Sequence, residues 1–360
     1  MKTAAQFSIP YYQFLSAKGE LLETPPGLDL AALVPMYRTM ALTRAFDAKA
    51  VALQRTGQLR TYPSSLGEEA STVGLACAMH SDDVLLPTYR ETGAFLWRGV
   101  KPLEILLYWG GDERGSNYAG PRQDFPISVP IASQCGHAVG VASALKYRQQ
   151  PRVALCVLGD GATSKGDFYE ALNLAGAWNL PLVFVIINNR WAISLPSARQ
   201  TACATFAQKA IAGGLPGAVV DGNDAVAVQL KIREAVEAAR AGQGPSVVEC
   251  VTYRLTDHTT ADDARRYRSA EEVSAAWAEE PMVRLRLCLS NAGLWNKHAE
   301  EELLAENQRV VEEAVAEYLA TPAQPLTAMV DYLYAELPAD MAKQRAELAE
   351  RDPAGGGHHG

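Results

Sequence analysis

Two short clusters of oxygen donors carry the clearest chemical signal in the chain: Gly159-Asp160-Gly161 and Asn188-Asn189. A carboxylate and an amide oxygen are hard ligands. They suit Mg²⁺, whose octahedral shell is completed by phosphate oxygens, a backbone carbonyl and water. Gly159 and Gly161 leave the backbone bare enough for a phosphate to approach closely. A helix start after them would add unpaired N–H groups and a positive dipole end. Taken alone, Gly-Asp-Gly more often marks a left-handed turn that caps a helix. Gly159-x-Gly161-x-x-Ser164 also resembles a dinucleotide fingerprint. That fingerprint expects a third glycine and an acidic residue at the end of the next strand, where this chain has Ser164 and asparagines.

The flanking elements decide between these readings. Val153 to Leu158 and Pro181 to Ile187 are continuous apolar runs. Between them, Phe168, Ala171, Leu172, Ala175 and Trp178 recur at helical spacing over Asp167 to Trp178. This is a βαβ unit, whose right-handed crossover makes the strands parallel. Both strands then end on one edge of the sheet, where open parallel sheets bind ligands. Asp160 and Asn189 can converge there.

Val84 to Leu86, Ala218 to Val220 and Ser246 to Val251 read as further strands, with a helix over Ala225 to Arg240. Continuous apolar strands imply burial on both faces. The expected fold is therefore α/β, with a mostly parallel central sheet, helices on both faces and additional C-terminal helices. Residues 1–27 read as an irregular arm ending at Pro25-Pro26-Gly27. Residues 28–290 form the α/β domain, 291–350 a peripheral helical segment and 351–360 a flexible Gly/His tail. A helix is expected over Asp29 to Thr56 with Asp29 as N-cap, and another over residues 67–79. The C-terminal helices are expected near 270–289, 298–319 and 326–348.

Bulk properties narrow the function classes. The chain has 360 residues and a formal charge of −8, which argues against nucleic acid or anionic membranes as partners. No apolar run approaches the ~18 residues that span a bilayer, and no secretory h-region precedes Leu15. Six scattered cysteines without a CxxC pair read as reduced, packed thiols, which suits the cytoplasm.

The stretch GDGATSKGDFYEALNLAGAWNLPLVFVIINN, residues 159–189, resembles the thiamine-diphosphate motif of alpha subunits from the decarboxylating component of pyruvate and branched-chain 2-oxoacid dehydrogenases. The likeness runs from about Phe14 to Leu348 and implies the thiamine-diphosphate-binding fold. Position by position, it implies Mg²⁺ on Asp160, Asn189 and the Trp191 carbonyl. It implies diphosphate contacts for Gly159, Gly161 and Ala162, and for the Tyr89-Arg90 pair that follows Val84 to Leu86. An arginine fork is apt for phosphate, although Arg90 in isolation would read as a surface ion-pair residue. Arg254 and His258 match a family arginine and a loop histidine over the cofactor. His258 is the matched catalytic residue, with a proton affinity expected near neutral pH. Thr256 stands where some members have a second histidine. Val129 and Ile131 match the segment whose backbone grips the aminopyrimidine, and a glycine-rich helix start is the other reading of Ser128 to Gly140.

The family's activating glutamate comes from the beta subunit, and Glu68, Glu69 and Glu91 do not match it. The resemblance thus implies a beta subunit in an α2β2 heterotetramer, a lipoyl-bearing acyltransferase partner and a 2-oxoacid substrate. Pyruvate is the first choice and a branched-chain 2-oxoacid the alternative, with acetoin a third. Thr259 and Arg266 replace the phosphorylatable serines of mammalian relatives, which implies no such kinase switch. A non-catalytic scaffold is the rival of a different class, and the intact Asp160, Asn189, Arg90, Arg254 and His258 speak against it.

Overall fold

A computed structural model describes residues 2–351. The core is a six-stranded, wholly parallel sheet. In chain order the strands are β1 (Tyr11–Tyr12), β2 (Val84–Leu86), β3 (Ala154–Gly159), β4 (Leu182–Asn188), β7 (Gly217–Asp221) and β8 (Ser246–Val251), with a separate antiparallel ribbon of β5 (Trp191–Ala192) and β6 (Leu195–Pro196). Their spatial order is β1-β7-β8-β4-β3-β2.

The continuous apolar runs have a direct cause. Leu155 and Val157 of β3, with Val183, Val185 and Ile187 of β4, face one core cluster. Cys156 and Leu158, with Leu182, Phe184 and Ile186, face the other. Alternate side chains leave a strand on opposite faces, so a sheet covered twice needs apolar residues at both parities. One face packs against α1 (Val34–Arg55), α2 (Glu69–Cys77) and α7 (Ala225–Arg240); the other packs against α5 (Ser133–Tyr147) and α6 (Gly166–Ala177). The short helices α3 (Thr92–Arg98) and α4 (Pro102–Gly110), which the sequence pattern did not reveal, form a third cluster with α1 and the later α10 (Lys297–Ala320).

Several boundaries differ from the sequence reading. Residues 1–27 are not purely irregular: β1 extends the sheet edge beside β7. Phe14 and Leu15 are buried, and their N–H groups donate to Asp224 at 2.6 and 2.7 Å. Asp29 is not the N-cap expected: it accepts from the Ala31 N–H at 2.9 Å, but Leu30 is the N-cap of a 3-10 turn (Ala31–Leu33) and Leu33 that of α1, which begins after it. The first C-terminal helix is two, α8 (Ala270–Trp277) and α9 (Pro281–Asn291), because Glu280 caps a new helix ahead of Pro281. The last is also two, α11 (Ala328–Asp331) and α12 (Ala339–Arg351). Arg351 thus closes a helix, and the rest of the expected tail lies outside the described residues. No helix among them is long and apolar enough to cross a membrane.

Candidate cofactor site at the carboxyl edge of the sheet

Four adjacent strands, β2, β3, β4 and β8, deliver residues to one edge. Gly159 pairs with Ile187 across β3 and β4, so Asp160 and Asn189 leave neighbouring strands at almost the same level. Both line a cavity of about 260 Å³, together with Tyr89, Arg90, Ile131, Gly159, Gly161, Ala162, Trp191, Arg254 and His258. Every site residue matched in the sequence lines this cavity except Val129, a residue 48 % exposed. The resemblance had given Val129 only a backbone contact. A larger cavity of about 650 Å³ lies between residues 57–60, 107–113 and 318–329, away from the strand ends.

The two asparagines have separate tasks. Asn188 points back into the scaffold: its Nδ2 donates to buried Glu249 at 2.7 Å, and its Oδ1 accepts from Ser197 at 3.2 Å. Asn189 faces the cavity. Its Nδ2 donates to Glu68 at 2.7 Å and its Oδ1 accepts from the Trp191 N–H at 3.3 Å. Asn188 is the last residue of β4 and Asn189 the first beyond it, so the two side chains leave the chain in different directions.

Asp160 is 2 % exposed and opens a 3-10 turn, Asp160–Ser164. Burial raises its pKa, against the hydrogen bond from Gln200 Nε2. Lys209 braces the turn from outside by donating to the Thr163 carbonyl at 2.9 Å and its hydroxyl at 2.8 Å. Because α6 starts only at Gly166, the N–H groups nearest Gly161 belong to this turn and not to the expected α-helix. A Cβ on Gly159 would meet nothing within 4 Å, which leaves room for close approach. At Gly161 a Cβ would sit 2.7 Å from Ala192 Cβ, so that glycine is required by the β5–β6 ribbon.

The opposite wall is cationic. Arg90 is buried and not a surface residue. It donates to the Ser64 and His258 carbonyls and lies 3.8 Å from Glu68. Arg254 is 0 % exposed. It donates to the Trp191 carbonyl at 3.0 Å, the Ile193 carbonyl at 2.9 Å and the Tyr267 hydroxyl at 3.0 Å. Among the described residues it has no carboxylate within ion-pair distance. Burial and the nearby Arg90 lower its pKa. A buried guanidinium without an anionic partner is costly, and an anion entering the cavity would relieve that cost.

His258 lies between the two arginines, with Nδ1 3.2 Å from Arg90 and 3.4 Å from Arg254. Burial and both guanidiniums push its pKa down to about 3. This is lower than the near-neutral proton affinity expected from sequence. Nδ1 accepts from both arginines, so the neutral ring carries its proton on Nε2.

The residues fit a magnesium-bound diphosphate. Asp160, the Asn189 amide oxygen and the Trp191 carbonyl, which keeps one lone pair beside Arg254, form a hard oxygen set. Among the described residues no cluster of three His, Cys, Asp or Glu side chains is placed to hold a metal alone. Sequence reasoning missed Glu68, Gln134 and Gln200. Glu68 and Gln134 line the cavity, and burial lifts the Glu68 carboxyl to about 7. No periodicity or motif marks them; only the folded chain brings them to the strand ends.

Comparison with known proteins gives concordant matches. The family model described as "Dehydrogenase E1 component" matches residues 37–327. The 3-methyl-2-oxobutanoate dehydrogenase subunit alpha of Mycobacterium tuberculosis is 42 % identical over 321 residues, covering 88 % of each chain. The pyruvate dehydrogenase E1 component subunit alpha of Staphylococcus aureus is 37 % identical over 343 residues, covering 94 % of this chain and 93 % of the relative.

Proposed function

The chain belongs to the dehydrogenase E1 component family, and on that footing we propose that it is the alpha subunit of a thiamine-diphosphate-dependent 2-oxoacid dehydrogenase, with pyruvate as substrate and Mg²⁺ on Asp160, Asn189 and the Trp191 carbonyl. The observation that carries the site reading is the pairing of a hard oxygen set with the buried, anion-free Arg254 in one cavity. Thiamine diphosphate, when bound, supplies the electron sink for decarboxylation; the protein supplies orientation and electrostatics. In this reading Arg90 and Arg254 hold the diphosphate end, with Tyr89 and the backbone of Gly159, Gly161 and Ala162 beside it. Residues 129–131 support the aminopyrimidine end. His258 Nε2–H is a hydrogen-bond donor on the cavity wall, and Nδ1 keeps its lone pair for the arginines.

The remaining parts of the proposal rest on the family. A beta subunit supplies the missing activating carboxylate in an α2β2 heterotetramer, and the acyl unit passes to a lipoyl group of an acyltransferase partner. Residues 28–290 are the cofactor-binding domain, with 291–350 peripheral. Six unpaired cysteines support a reducing, cytoplasmic setting. The branched-chain reading has its own support in the 42 % identity to a 3-methyl-2-oxobutanoate enzyme subunit.

Co-expression with the partner beta subunit and assay of decarboxylation with Mg²⁺ and thiamine diphosphate tests both. Higher kcat/KM for pyruvate than for 3-methyl-2-oxobutanoate upholds the main reading, and the reverse order upholds the second. A correctly assembled pair inert toward both would refute the enzymatic reading.

A further inference from the structure

Glu68 immediately precedes α2, is 2 % exposed and lines the cavity beside Asn189. Its closest side-chain contact is the Asn189 amide nitrogen, at 2.7 Å from Oε1. Arg90, the nearest cationic side chain, is 3.8 Å away and directs its own hydrogen bonds to the Ser64 and His258 carbonyls. Among the described residues, Asn189 is the only side chain within hydrogen-bond distance of the Glu68 carboxylate.

An asparagine amide has two orientations of nearly equal shape, related by a flip that exchanges oxygen and NH₂. Only one of them can ligate a cation. An ionised carboxylate accepts hydrogen bonds and cannot donate them, so ionised Glu68 holds the NH₂ toward itself, as its 2.7 Å contact with Nδ2 shows, and the oxygen away from it. The flipped amide would set two oxygens against each other in a buried site, leaving the NH₂ without that acceptor. The Trp191 N–H, 3.3 Å from Oδ1, favours the same orientation. We propose that Glu68 is a positioning residue that locks the Asn189 amide with its oxygen toward the cation. The idea rests on the metal site described under the proposed function. It follows a general habit of metal sites, in which groups behind the ligands fix the ligands' orientation.

The test is Mn²⁺ binding on the alkaline side of neutrality, where Glu68 is ionised, followed by the loss of the free-ion EPR signal, in the complex assembled with the beta subunit at saturating thiamine diphosphate. Glu68→Gln keeps an acceptor but tolerates both flips, so binding should weaken by no more than about threefold. Glu68→Leu strands the NH₂ in the binding orientation, and affinity should fall at least about tenfold. Equal losses in the two variants would show that the charge matters and not the orientation, overturning the proposal.

Asn189→Asp supplies a cycle that does not depend on the leucine variant folding. An aspartate has oxygen on both sides and needs no lock, but it faces Glu68 with a like charge. Asn189→Asp alone should bind Mn²⁺ weakly, and adding Glu68→Gln should restore binding to within a few-fold of wild type. Failure of that rescue overturns the lock. Asp160→Ala separates the two levels of the argument: loss of binding there with Glu68→Leu unaffected defeats only the lock, whereas undiminished binding in Asp160→Ala defeats the site itself.

Discussion

Replacing Arg90 by methionine keeps most of the stem and removes the fork. The guanidinium now satisfies the Ser64 and His258 carbonyls and lies 3.8 Å from buried Glu68. Two unpaired carbonyls cost roughly 1 kcal/mol each where water reaches them, and the loss of a cation beside a buried carboxylate adds about as much again. Glu68, already lifted to about 7 by burial, limits this last part by taking up a proton. The total is about 3 kcal/mol. For a chain of 360 residues this corresponds to about 4 °C in Tm. Cofactor binding should suffer more. A charge-assisted arginine–phosphate contact contributes about 1.5–3 kcal/mol, so affinity for thiamine diphosphate should fall roughly 10- to 150-fold. Arg90→Lys keeps the charge without the fork and should fall between wild type and Arg90→Met. Calorimetric titration of the assembled complex with cofactor and Mg²⁺ measures the affinity, and thermal denaturation the stability. A variant with the lowered Tm but cofactor affinity within threefold of wild type would reduce Arg90 to a scaffold residue and refute the diphosphate assignment.

Other consequences can be checked on the same preparation. Asn188→Ala removes the 2.7 Å bond to buried Glu249 and should cost about 1–3 kcal/mol of stability, with far less effect on cofactor affinity than Asn189→Ala; denaturation and titration of the pair separate the roles. Gly161→Ala places a methyl 2.7 Å from Ala192 Cβ and should destabilise by about 1–3 kcal/mol as the ribbon shifts, whereas Gly159→Ala should leave Tm unchanged and weaken cofactor binding. The folded-state pKa of His258, about 3, lies below the ordinary 6.5. Its contribution is therefore fully present above pH 6.5 and is lost as pH falls from there toward 3. Without cofactor, Tm should drop more steeply between pH 6.5 and 4 in wild type than in His258→Gln, and parallel curves would show that the ring is not held neutral.

The central βαβ unit was legible because buried parallel strands must be apolar at every position, and because the donors sit at the strand ends. Asp160 and Asn189 are brought to one edge as that pattern requires. What escaped the sequence depends on through-space partners. Glu68 lies in a small-residue segment whose burial was legible but whose direction was not. The suppressed basicity of His258 comes from Arg90 and Arg254, which follow β2 and β8 and meet only in the folded chain. The breaks ahead of α9 and α12 were overlooked because helical spacing runs on through positions where a capping side chain or a proline restarts the helix.

Anomalous diffraction from the complex of both subunits, grown with thiamine diphosphate and Mn²⁺ in place of Mg²⁺, reaches the core of the account. One manganese peak is expected within coordination distance of an Asp160 carboxylate oxygen, Asn189 Oδ1 and the Trp191 carbonyl. A cofactor bound with its metal held elsewhere, or with Asp160 and Asn189 both out of its reach, would contradict it.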